Sequence, residues 1–345
     1  MTRPRERGVV AAVDVMQRDV RTRGAGAALA AVLLAGAVGA AAAAAALGAG
    51  AEVPIPGLPD AGPVTATALP LARLAHDVLA AGTLGSLLLE GVLLPRRGRP
   101  DPVGIGRVAT WAFAWAAATG VWAVLALSEA LGVPVTDIAS RGSVWFLVLT
   151  SPFTLAQVST TWLAVLVALV ARSQPSLPVT RALLPVALVA LVPTAAVGHA
   201  GDHGSPVVGI TSLSLHLAAA TLWLGGLLAI VVHLQGRPDL LAVAVPRFSR
   251  IALVCVVLLA ASGAVGASTV LDSWDQLVYS GYGLLLMAKV LLLGVLVLIG
   301  AGHRRRTVGA AVAGRPGALL RLAMGELVLM GAVMGLAVTL SSIGP

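Results

Sequence analysis

Residues 209–233 read GITSLSLHLAAATLWLGGLLAIVVH, and His216 and His233 are the only ionisable side chains in that run. A helix needs about 20 apolar residues to cross the hydrocarbon layer, and this stretch is long enough. It shows none of the strict alternation of a half-buried strand. In lipid a helix also satisfies its own backbone hydrogen bonds, which an isolated strand cannot do. Working outward, similar stretches lie at 25–50, 69–94, 106–131, 144–171, 182–200, 248–271, 281–302 and 318–341. The connections between them are short and rich in Gly, Pro and charge. The predicted fold is therefore all-α, a polytopic transmembrane helix bundle of about nine spans.

Composition agrees. Hydrophobic residues make up 58% of the chain and charged residues 11%, against about a quarter charged in soluble domains. The formal charge of +8 raises the question of nucleic acid. Almost all of the positive charge is arginine in short loops, which fits membrane topology and no nucleic-acid partner. Arg3, Arg5, Arg7, Arg18, Arg21 and Arg23 precede the first stretch. Alternate loops then carry Arg96, Arg97, Arg99 and Arg107; Arg172 and Arg181; Arg237, Arg247 and Arg250; and Arg304, Arg305, Arg306 and Arg315. The intervening loops carry Glu52, Asp60, Asp137, Asp202, Asp272 and Asp275, with Arg141 the main exception. The positive-inside pattern puts the N-terminus in the cytoplasm and the C-terminus outside. Residues 1–24 read as a basic cytoplasmic segment and 69–345 as the membrane bundle. Residues 25–50 read as a first helix; an Ala-rich, signal-like character would permit cleavage and leave eight spans.

Several chemistries are excluded. Cys255 is the single cysteine, so neither an internal disulfide nor a CxxC or CxxCH motif exists. Lys289 is the single lysine and lies in Ala-Lys-Val, so there is no Walker A motif. An ATP-driven pump is not expected of this chain, nor an enzyme.

Ionisable groups inside a bilayer are costly and default to functional candidates. His76, His199 and His216 fall within spans and at similar depth towards the outer face, with His203 in the turn between the second and third of them. Asp77 and Asp202 add negative charge. The pattern reads as a metal site of several imidazoles, which suits copper or zinc, and Met287 offers a thioether for copper(I). The alternative is that each ring separately satisfies a hydrogen bond, and that the methionine packs. Lys289 either compensates charge near Asp77 or snorkels to the outer interface. Glu90 and Glu326 lie in the inner third, as an inner relay or as interfacial partners of arginines. His233 and His303 read as interfacial.

The second half resembles the CopD copper-resistance family of bacterial inner-membrane proteins. The matching strings, in order, are Gly198-His199-Ala200, then His216 to Leu227 (HLAAATLWLGGL), then Arg247-Phe248-Ser249-Arg250 and Ser262-Gly263. Tyr282 to Lys289 (YGLLLMAK) and Arg304-Arg305-Arg306 close the series. Residues 180–306 form the CopD-like core. The resemblance implies copper handling at the plasma membrane, as import of a copper ion (Cu+ or Cu2+) from the outer side. His199, His216 and Lys289 sit in matched motifs, whereas His76 and His203 come from topology. An extracytoplasmic copper chaperone is the implied partner, besides membrane lipid. Two other readings stay open: a b-type haem and quinone electron-transfer protein, with paired histidines as axial ligands, and a copper-dependent assembly factor without transport.

Overall fold

The computed structural model describes residues 29–42, 60–95, 98–140, 142–197, 206–270, 274–312 and 316–340, and these form only helices and the turns between them. In chain order the helices are α1 (Leu29–Ala42), α2 (Gly62–Leu88), α3 (Pro102–Leu131), α4 (Ser143–Thr150), α5 (Pro152–Arg172) and α6 (Leu177–Val189). They continue with α7 (Val192–Ala196), α8 (Pro206–His233), α9 (Pro238–Val270), α10 (Trp274–Tyr279), α11 (Gly281–Val312) and α12 (Pro316–Leu340). Eight helical segments among the described residues are long and apolar enough to cross a membrane, with α1 as a shorter apolar helix. The polytopic helical bundle expected from the sequence is what the chain forms.

Proline and glycine set several boundaries. Pro102 and Pro152 open α3 and α5, where the missing N–H has no helical partner to lose. Gly132 closes α3 in the left-handed conformation, at φ 58°, with its N–H on the Glu129 carbonyl. Two expected spans are broken. Ser151 is extended (φ −70°, ψ 125°) before Pro152 and separates α4 from α5, because the residue before a proline disfavours helical geometry. The stretch expected at 182–200 starts earlier, at Leu177, and is interrupted between α6 and α7 ahead of Pro193. Of the first stretch, 25–50, only 29–42 lies within the described residues.

The helix α2 sits between two cores. Leu74, Val78, Ala81 and Leu88 pack into a cluster with Leu224, Leu228 and Val231 of α8, Phe248 of α9 and Leu327 of α12. Ala80, Leu84 and Leu87 face Ile105, Ala112 and Trp115 of α3, Val167 of α5 and Leu183 of α6. The peripheral spans instead expose large apolar side chains, such as Trp162, Val290 and Leu298. For a bilayer protein that is the lipid-facing surface rather than an anomaly.

Small residues bring the central pair together. A Cβ on Gly225 would fall on the Ala81 carbonyl, and one on Gly85 would fall on Gly225 itself. The backbones of α2 and α8 therefore touch, the close approach that small residues permit between membrane helices. Gly226 makes room for the Phe248 ring and Gly82 for Trp111.

Beyond Leu88 the helix α2 widens into a π-helical segment, Leu89–Leu93. Its last turn closes with the Leu94 N–H on the Leu89 carbonyl at 3.0 Å. Arg181 of α6 donates through Nε to the Gly91 carbonyl (2.8 Å), and Arg247 of α9 donates to the Leu93 carbonyl (2.9 Å). These side chains satisfy carbonyls at the end of a helix that has no further turns to do so.

Candidate metal centre

His76 and His216 each stand nine residues before the Gly85–Gly225 contact on their own helices. That separation is about 13–14 Å of helix in both cases, so the two rings share a depth. They turn to different neighbours. His76 is buried and its Nδ1 lies 2.9 Å from Thr119 Oγ1 of α3. His216 is half-buried and its Nδ1 lies 3.1 Å from Ser262 Oγ of α9.

The hydroxyl protons fix both tautomers. Thr119 donates its only hydroxyl proton to the Trp115 carbonyl, at 2.8 Å. It can only accept from His76, so His76 carries its proton on Nδ1 and presents an Nε2 lone pair. Ser262 likewise donates to the Leu258 carbonyl at 2.6 Å. His216 is therefore also the Nδ1–H tautomer with Nε2 open. This is the arrangement of a metal-ligating histidine, whose second nitrogen donates to a fixed acceptor and so orients the ring. Ser212 donates to the Ser262 carbonyl (2.9 Å), holding that part of α9 against α8.

Aromatic and charged groups surround His76. Its ring centroid is 4.9 Å from that of Trp122 and 6.0 Å from that of Trp115. Asp77 brings Oδ1 to 4.0 Å from Nε2, on the lone-pair side. Arg73, one turn earlier, lays its guanidinium 5.4 Å above the Trp122 ring, a cation–π contact. Lys289 of α11 lies within coulombic reach of both Arg73 and His216. No Asp77–Lys289 ion pair forms among the described residues, and Arg73 is the charge that approaches both.

The other expected site residues divide. His199, Asp202 and His203 lie outside the described residues. Met287 is exposed on α11, which fits packing against lipid as well as a ligand role. Among the described residues no group of three or more His, Cys, Asp or Glu converges on one point. Glu90 and Glu326 stand towards the arginine-rich end, Glu90 buried against Gly104 and Glu326 half-buried on α12. Cys255 is a small buried residue of the apolar core, as expected.

His233 is the last residue of α8, at its arginine-rich end. It is buried, and both of its ring nitrogens are engaged. Arg107 donates to Nδ1 at 3.0 Å, and an arginine has no acceptor to offer in return. The proton must sit on Nε2, 3.0 Å from Ser86 Oγ. This ring has the opposite tautomer from His76 and His216, and no lone pair remains for a metal. Its position at the end of the 209–233 run, beside Arg237, gave no sign in the sequence that Arg107 and Ser86 close over it.

Comparison with known proteins agrees with this architecture. The family model described as "Copper resistance protein D" matches residues 242–340, and the one described as "Copper resistance protein D-like, N-terminal domain" matches residues 64–210. The chain belongs to the CopD copper-resistance family. Both halves of the bundle are thereby covered, including the segment that carries His76 as well as the one that carries Ser262 and Lys289. The copper transport protein CutJ of Bacillus subtilis (strain 168) is 35% identical over 118 residues, 33% of this chain and 22% of that protein. The chain thus aligns with less than a quarter of that relative's length. No solved structure matches the chain. As a CopD-family protein with eight helical segments fit to span a bilayer, it is a multi-pass membrane protein, and a plasma-membrane location fits the bacterial relative.

Haem gains no support here. Two axial imidazoles have to face one another across a single iron, whereas His76 and His216 are anchored to hydroxyls on α3 and α9, on opposite flanks of the α2–α8 pair.

Proposed function

We propose that this chain binds copper within the outer halves of α2 and α8, at the level of His76 and His216, and passes it inward across the bacterial plasma membrane. One observation carries the reading: two intramembrane histidines at one depth both have Nδ1–H anchored and Nε2 open. Neutral imidazole is a good ligand for copper in either common oxidation state. His199, Asp202 and His203, in the sequence ahead of α8, act as the capture group, and an extracytoplasmic chaperone delivers the ion to them. Membership of a copper-resistance family and the likeness to a copper transport protein support the choice of metal.

The charge balance suits passage better than storage. Asp77 favours a cation, but Arg73 and Lys289 oppose it within the same outer region. A conducting site must bind well enough to admit the ion and weakly enough to release it. The chain acts as a permease on this account and performs no covalent chemistry. The orientation follows the arginines, with the ends of α2 and α8 at Leu93 and His233 towards the cytoplasm.

The test is uptake by proteoliposomes containing the full chain, with copper outside and a copper-sensitive dye inside. Entry that depends on His76 and His216 supports the reading. Binding without entry would instead make the protein a copper-dependent assembly or sensor component.

A further inference from the structure

Two side chains in the neighbourhood of His76 bury polar atoms that nothing in the protein satisfies. Gln157 of α5 is 1% exposed and Trp115 of α3 is fully buried. Neither the amide oxygen and nitrogen of Gln157 nor the indole N–H of Trp115 has a hydrogen-bond partner among the described residues. Buried polar groups are almost always paired, with protein or with ordered water. Ring contacts and register place both groups. Phe153 packs edge-on against Trp122, with centroids 5.8 Å apart, and Trp122 packs on His76. Gln157 follows Phe153 by one turn on the same face of α5, which brings it near the depth of His76 and Thr119. Trp115 lies one turn inward of Thr119 on α3.

The interruption between α6 and α7 faces the same place. Thr160, three residues beyond Gln157, donates to the Ala190 carbonyl at 2.9 Å. The helices α5 and α6 are joined by a short turn and run antiparallel, so Gln157 stands opposite Pro193. Trp115 packs in one cluster with Ala190 and Leu191. Here Leu191 donates to the Leu188 carbonyl, three residues back rather than four, at 3.1 Å. Pro193 has no N–H to give to the Val189 carbonyl. The interruption falls inside the Leu177–Ala196 span. Irregular backbone at membrane depth persists only where it is buried in protein or lines water, and interrupted helices offer carbonyls to cations in membrane transporters.

We propose that Gln157, Trp115 and the α6–α7 interruption enclose a hydrated pocket beside His76, which receives copper from that ring on the inward path. The water rests on the orphaned groups; the passage of copper rests on the function proposed above. Water joins the indole N–H, the Gln157 amide and the carbonyls of the interruption, since a buried water makes about three hydrogen bonds. Carbonyl oxygen and water suit copper less well than imidazole does. An ion that leaves His76 Nε2 exchanges a nitrogen donor for oxygen donors, keeps its charge, and stays solvated without being trapped, as conduction requires. The route inward then follows the α3–α5 flank of α2, away from the α9 side to which His216 turns.

The first test needs no copper. Hydroxyl-radical footprinting of the full chain in nanodiscs oxidises a buried side chain where bound water lies beside it. Trp223, 9% exposed in the apolar core around α2 and α8, is a reference of the same intrinsic reactivity. Trp115 is expected to be oxidised about fivefold faster than Trp223 although it is the less accessible of the two, because buried water supplies the radical. Gln157→Leu should bring Trp115 down to the Trp223 rate. A parent protein in which Trp115 reacts no faster than Trp223 overturns the proposal, whatever the folding of the variant, and so does a fast rate that Gln157→Leu leaves unchanged. The second test follows the ion. Gln157→Leu should keep the copper bound at His76 and His216 in equilibrium dialysis and slow copper entry into proteoliposomes about tenfold, the mark of a conduction step rather than a binding one. Unchanged entry in a folded Gln157→Leu protein also overturns the proposal. A parent that binds copper and admits none refutes the permease reading and the pocket's part in it, while the footprint still decides whether water is there.

Discussion

Thr119 accepts the Nδ1 proton of His76, at 2.9 Å, because its own hydroxyl proton is committed to the Trp115 carbonyl one turn back on α3. The direction of that bond decides what the imidazole offers to a ligand. Thr119→Val keeps the shape and removes the acceptor. Loss of an outer-shell partner of a ligating histidine costs about 10- to 100-fold in metal affinity, and that is the expected fall in copper binding. Ser262→Ala should act likewise through His216. Equilibrium copper titration of the purified proteins checks both, with folding monitored by circular dichroism.

Trp122 and Trp115 stand close enough to His76 to report on it. Copper(II) bound at Nε2 should quench indole fluorescence, and the quenching should diminish clearly in His76→Ala. His216→Ala should leave most of it in place, since His216 turns to α9. Equal quenching in both variants would mean that copper sits elsewhere.

Lys289 opposes a cation near His216 in this account, so Lys289→Met should tighten copper binding by several-fold and slow release. Arg250→Met, at the other end of the bundle, should change neither. Binding and stopped-flow dissociation measurements distinguish the two; equal effects would return Lys289 to a role in interfacial anchoring.

Gly85 and Gly225 set the spacing of the pair that carries both rings. Gly225→Ala places a Cβ on the Ala81 carbonyl. Overpacking of this kind costs about 1–3 kcal/mol or more. Gly106→Ala, with nothing within 4 Å of its added Cβ, should be harmless. Thermal unfolding in detergent measures the difference.

Much of the fold was legible because a bilayer demands long uninterrupted apolar helices, and 209–233 meets that demand without ambiguity. The breaks at Ser151 and ahead of Pro193 were less visible. Apolar residues continue across both, and only the prolines signal them. The depth of His76 and His216 followed from counting, but their facing did not. Which hydroxyl meets which ring depends on helix rotation, and near-uniformly apolar helices leave little periodic pattern to set it. His233 shows the same limit. Its neighbours Ser86 and Arg107 are 147 and 126 residues distant in sequence, and only packing of α2, α3 and α8 brings them together. The arginine alternation remains the whole basis for orientation. It predicts that Thr136→Cys, in the short 3-10 helix Val135–Ser140 after α3, reacts with an impermeant reagent on intact cells. Gln174→Cys, in the turn after α5, should be protected.

The central claim is that the Nε2 atoms of His76 and His216 hold copper. Copper content after equilibrium dialysis, compared between the full chain and the His76→Ala/His216→Ala double variant, addresses it most directly. The account predicts that the double variant inserts normally into membranes and loses the copper held at the level of residues 76 and 216 within α2 and α8. Copper stoichiometry unchanged from the parent, in a correctly inserted double variant, would contradict it.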